Sequence, residues 1–73
     1  MTATNRDEYV EWCKQRAREY LKIGEDANAV ASMISDMNER DDCKIDPLLA
    51  QVGTIALINH DHTEVVRFIE GFH

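Results

Sequence analysis

Apolar residues recur at helical spacing in four windows of the chain, and the strict alternation of a half-buried strand fits none of them. In the first window Tyr9, Val10, Cys13, Ala17, Tyr20 and Leu21 fall on one face, with Trp12 on its flank and Arg16 and Lys22 away from it. Thr4 or Asn5 is the expected N-cap, Asn5 with Glu8 resembles a capping box, and residues 1–4 are expected as a frayed tail. Gly24 suits the position just past the helix end, where a left-handed backbone is needed. A second helix then follows at once. Asp26 is its expected N-cap, with the helix from about Ala27 to Glu39 and a stripe of Val30, Met33, Ile34 and Met37. Ala27, Ala29 and Ala31 are small neighbours that permit close approach, and so short a connection predicts an antiparallel pair.

The polar stretch Asn38–Lys44 reads as a loop, the most mobile one expected, joining two halves of one domain. Asp46-Pro47 is the clearest start signal, because aspartate caps and proline fits the first helical position. The third helix is expected from Pro47 to about Asn59. Leu48, Val52, Ile55 and Ala56 are its expected main face, widened by Leu49, Leu57 and Ile58. So apolar a helix is either central or meets another chain. After a turn at His60-Asp61-His62, Thr63 is the expected cap of a fourth helix to about Glu70. Val65, Phe68, Ile69 and Phe72 face the core, and Gly71 closes the helix. The predicted fold is all-α, a single compact domain over residues 1–73 with four short helices in two antiparallel hairpins, and residues 38–45 as the loop between them.

Two resemblances follow from these residues. Ala17, Tyr20, Leu21, Gly24 and Ala29 resemble the middle of a tetratricopeptide repeat, with a small residue and Tyr before a Gly turn and an Ala after it. The chain departs from that pattern at Asp36, where a small residue is usual, and no proline closes the unit; the likeness is to a close helical hairpin and implies no peptide groove. Tyr9, Trp12, Cys13, Lys14, Arg16, Ala17, Glu19, Tyr20 and Leu21 carry the second. Asn28-Ala29, Ala31-Ser32-Met33, Ser35-Asp36 and the terminal Arg67–Phe72 run continue it. Together they resemble a group of small, uncharacterised proteins of tailed bacteriophages. Such proteins typically carry His-Pro near the middle, where this chain has Asn38–Lys44 and Asp46-Pro47. The resemblance implies a phage gene product in a bacterial cytoplasm, and carries no catalytic activity with it.

Charge narrows the partners. The net charge is -6 over 73 residues. Residues 1–24 sum to +1, residues 25–44 to -4 and residues 45–73 to -3, so the acidity lies in the second half. Direct nucleic-acid binding needs clustered Lys and Arg and is not expected. Solubility explains the acidity, while Asp41, Asp42 and Asp46 form the candidate acidic patch of a nucleic-acid mimic. Two cysteines are too few for a disulfide scaffold, which points to a reduced, cytosolic chain. With a polar N-terminal stretch no signal peptide is expected, and no apolar run approaches a membrane span.

Candidate chemistry is sparse. His60, His62 and His73 with Asp61 are proper ligand types for zinc or nickel, but no second cluster at ligand spacing supports them, and a polar turn is the expectation. The acids around Asp42 lack the glycine and the terminal glutamate of a calcium loop. Cys13 sits in an apolar stripe as a packed thiol, whereas Cys43 is expected exposed in the loop. No Gly-rich phosphate loop or nucleophile elbow is present. No catalytic residue, metal or cofactor is therefore assigned, and the chain is not expected to be an enzyme. The expected function is a protein–protein interaction module that binds a host or phage protein, or itself as a homodimer. Trp12, Arg16, Leu57 and Ile58 are its candidate interface. The alternatives are a self-assembling phage component or the acidic mimic.

Overall fold

A computed structural model describes residues 5–72, in which four α-helices and one 3-10 turn are joined in sequence and no strand occurs. The helices are α1 (Arg6–Lys22), α2 (Asp26–Asn38), α3 (Pro47–Ile58) and α4 (His62–Glu70), with the 3-10 turn at Asp41–Cys43. The all-α architecture in two hairpins is as the sequence predicts: α1 packs on α2, α3 packs on α4, and α2 lies against both helices of the second hairpin. No helix of the described residues is long and apolar enough to cross a membrane. The proposed tail and the Thr4 cap lie outside the described residues.

Local chemistry sets the ends. The Asn5 side-chain oxygen accepts from the Glu8 N–H at 2.8 Å, and its amide donates to Glu8 Oε1 at 3.1 Å. At the other end of α1, Gly24 takes φ 76°. The Glu25 N–H then donates to the Tyr20 carbonyl and the Gly24 N–H to the Leu21 carbonyl, the paired bonds of a Schellman motif. That motif uses up the connection, so α2 begins one residue earlier than expected. Glu25, not Asp26, is the N-cap, with its carbonyl accepting from Ala29 N–H. Asp46 caps α3 as predicted, accepting from the Leu48 N–H at 2.8 Å, with Pro47 in the first turn. α4 starts at His62, because the Asp61 carboxylate reaches the Glu64 N–H at 3.2 Å; Thr63 is inside the helix and not its cap.

The core collects Val10, Cys13 and Ala17 from α1, Ala29, Val30, Met33 and Met37 from α2, and Val65, Phe68, Ile69 and Phe72 from the C-terminal end. Phe72 folds back as expected and meets Phe68 edge-on at 5.1 Å between ring centroids. Gly71 caps α4 at φ -75°, so it does not use a left-handed conformation there. The 38–45 segment departs from expectation. Asn38 Oδ1 accepts from Ile45 N–H, Arg40 grips the Asp42 carboxylate through two bonds, and Arg6 donates to the Asp42 carbonyl. These bonds fix a 3-10 turn that drops Cys43 into the core at 3% exposure. The exposed thiol expected there is therefore a buried one.

Candidate functional site

The largest correction concerns α3. Of its expected main face only Ala56 is buried, while Leu48 is 72% exposed, Val52 50% and Ile55 54%; the candidate interface residue Ile58 is 70% exposed. The inward side of α3 is built from Gly53 and Ala56, with Ala50 and Leu57 half-buried beside them. Gly53 explains the arrangement. A Cβ at that position would lie 2.9 Å from two ring atoms of Phe68, so the α3 backbone sits on the Phe68 ring. A helix docked through its small residues necessarily turns its large ones away. Beside the exposed stripe runs a groove of about 220 Å³ between α3 and α4. Leu49, Val52, Phe68 and Phe72 line it, and Glu64 and Arg67 pair across 3.0 Å at its edge.

Trp12 and Arg16 form a separate cluster. The Arg16 guanidinium lies 5.0 Å from the Trp12 ring centroid, and its Nε donates to Asp36 Oδ2 at 2.7 Å. Ser32 donates to the same carboxylate oxygen, and the Tyr9 hydroxyl donates to the Asp36 carbonyl. Arg40 stacks over Tyr9 at 5.2 Å, and Tyr9 packs on Trp12 at 5.4 Å. Trp12 is thus half-buried on the edge of the core, and the cations around it are already engaged within the chain. Among the described residues no Cα of α1 comes within 8 Å of one in α3, so Trp12 and Arg16 stand apart from Leu57 and Ile58. Leu57 packs against the core, whereas Ile58 belongs to the exposed stripe.

Each member of the acidic trio has an internal partner. Hydrogen bonds from Arg40 hold the Asp42 carboxyl below the usual carboxylate range. Asp46 is committed to the α3 cap, and Asp41 lies 3.5 Å from Lys44. The outer-face Arg18 is likewise occupied: it forks onto both Glu70 oxygens at 2.7 Å and reaches Glu11 at 3.0 Å, tying α1 to α4. These bonds depress both glutamate pKa values.

A cleft of about 460 Å³ opens where the two inter-helix turns meet, lined by Gly24–Asn28, Ala56, Leu57, His60, Asp61 and Val65. At its side His62 Nδ1 lies 2.8 Å from Asp26 Oδ2, while Asp26 Oδ1 is buried without a hydrogen-bond partner. An Asp–His pair orients an imidazole, but nucleophilic catalysis also needs a reactive group within its reach. The thiols do not supply one. Burial pushes Cys13 up to about 11 and raises Cys43 as well, so both stay protonated. Among the described residues no group of three or more His, Cys, Asp and Glu is placed to hold a metal ion. His73 lies outside the described residues.

The α3 stripe is therefore the site with the strongest unmet physical demand. Sequence reasoning named its residues but assigned Leu48, Val52 and Ile55 to the core. The available signal was the second face of the same helix, where Ala50, Gly53 and Ala56 recur every third position. Comparisons with protein-family models, curated proteins and solved structures return no match to this chain.

Proposed function

We propose that this chain is a small protein–protein interaction module that docks through the outward face of α3. One observation carries the reading: among the described residues, five of the six exposed large hydrophobic side chains lie on that single helix. Isolated exposed apolar residues need no explanation, but a contiguous patch marks an interaction surface. The helix also carries no charged residue, so covering it strands no ion. The resemblance of Tyr9–Leu21 and the terminal Arg67–Phe72 run to small tailed-phage proteins supports placing the module in an infected bacterium. The acidic-mimic reading has less support, because Asp41, Asp42 and Asp46 all face partners within the chain.

Site-specific photo-crosslinking in bacterial cells tests the reading. A benzophenone side chain is placed at Val52 in one sample and at Gln15, on the polar side of α1, in another, and adducts are identified by mass spectrometry. The expected result is a discrete protein adduct at Val52 and none at Gln15. Adducts at Gln15 alone, or at neither position, would remove α3 as the docking surface.

A further inference from the structure

We infer that the occupant of the α3 face is a second copy of this chain, packed with its own α3 antiparallel across a two-fold axis near Val52. The inference rests on α3 being a docking surface, and adds who docks there.

Three physical arguments select a second copy. The first is area. The exposures of Leu48, Val52, Ile55 and Ile58 leave an apolar stripe of roughly 400 Å², within the range of the largest patch a monomer usually shows. Two such stripes face to face bury about 800 Å², and closure over the Leu49–Phe68 groove beside them carries the contact toward the roughly 1,000 Å² at which a specific protein interface becomes viable. The second is charge. Two chains of charge -6 repel wherever their acidic surfaces meet. α3 has neither acid nor base, so it is the helix through which like-charged copies approach at least electrostatic cost. Its hydroxyl is already satisfied, since Thr54 donates to the Ala50 carbonyl at 3.2 Å, which leaves Gln51, one turn from both Leu48 and Ile55, as the one other polar side chain of the helix.

The third argument is self-complementarity. Leu48, Val52 and Ile55 follow the four-then-three spacing of a two-helix seam. Reversing one helix about Val52 brings Leu48 of each copy opposite Ile55 of the other, large apolar against large apolar. The same axis keeps the patch isologous, so association closes at two and does not propagate into a filament. The groove lined by Leu49, Val52 and Phe68 offers each copy a recess beside the seam.

Sedimentation equilibrium from low micromolar to sub-millimolar concentration tests this on the intact chain. The expected limiting mass is twice the chain mass of 8.4 kDa. Ile55→Asp and, separately, Leu48→Lys are expected to weaken association at least about tenfold. Both sites are exposed, so unchanged helical circular dichroism will show that the variants fold. High salt should leave the dimer intact or strengthen it, because it screens only the repulsion. A wild-type mass of 8.4 kDa throughout would overturn the second copy as occupant. A foreign adduct at Val52 would then leave the docking face standing, and no adduct would remove both. A dimer that survives both substitutions, or that dissolves in salt, would place the contact elsewhere and overturn the inference.

Discussion

His60 closes α3 with a left-handed backbone, φ 54°, in the same role that Gly24 performs after α1. The His60 N–H donates to the Leu57 carbonyl and the Asp61 N–H to the Ala56 carbonyl, repeating the bond pair seen at Tyr20, Leu21, Gly24 and Glu25. Gly24 has no Cβ to strain, whereas a left-handed residue with a Cβ costs about 1–2 kcal/mol. Glycine returns part of that through its greater freedom when unfolded, about 0.5–1 kcal/mol. His60→Gly is therefore expected to stabilise the domain by roughly 0.5–1 kcal/mol, read as a higher urea midpoint with an unchanged slope. An unchanged or lower midpoint would mean that the exposed imidazole contributes a compensating contact in the cleft it lines.

At the scale of elements, α1 and α4 are held by one electrostatic clasp. Arg18 donates to Glu70 and Glu11, and the hydrogen bonds from Arg18 lower the Glu70 pKa in the folded state. A carboxylate depressed on folding stabilises the fold above its unfolded value, about 4.3 for glutamate, and that stability is lost as pH falls through the folded value. Glu70 is 42% exposed, so solvent screening limits its size. Arg18→Gln is expected to lower the urea midpoint at neutral pH, with the gap from wild type closing as pH falls below the ordinary glutamate range. A gap independent of pH would show that Arg18 acts through the packing of its stem alone. The clasp was not legible in the sequence, where Arg18 lies 52 residues from its partner. The helix count, the Gly24 stop and the Asp46-Pro47 start were legible, because each is settled by bonds within one turn. α3 escaped because periodicity locates a face only when the other face is polar. In PLLAQVGTIALI both are apolar, and the choice falls to Gly53 and Phe68, which meet only in the tertiary structure. Cys43 escaped for a related reason: Arg6, Asn38 and Arg40, brought in from two helices and a loop, close the turn that buries it.

At the scale of the molecule, burial is unevenly shared. α1 contributes three buried residues and α2 five, while α3 contributes only Gly53 and Ala56. Regions that bury little apolar surface open at lower free energy than the cooperative core. In dilute monomer, amide hydrogens of α3 are thus expected to exchange faster than those of α2, although both are hydrogen-bonded helices of similar length. Concentration separates this intrinsic weakness from the exposed stripe. Association through Leu48, Val52 and Ile55 adds free energy only to the state in which α3 is formed, and that linkage grows with chain concentration. Hydrogen–deuterium exchange followed by mass spectrometry is expected to show α3 protection rising from micromolar to sub-millimolar chain, with α2 rising only as far as global unfolding carries its exchange. In Ile55→Asp the concentration dependence of α3 should vanish while its fast monomer exchange persists. Equal protection of α2 and α3 in dilute chain would mean that Gly53 on the Phe68 ring couples α3 to the core as firmly as the Met33 and Met37 packing couples α2.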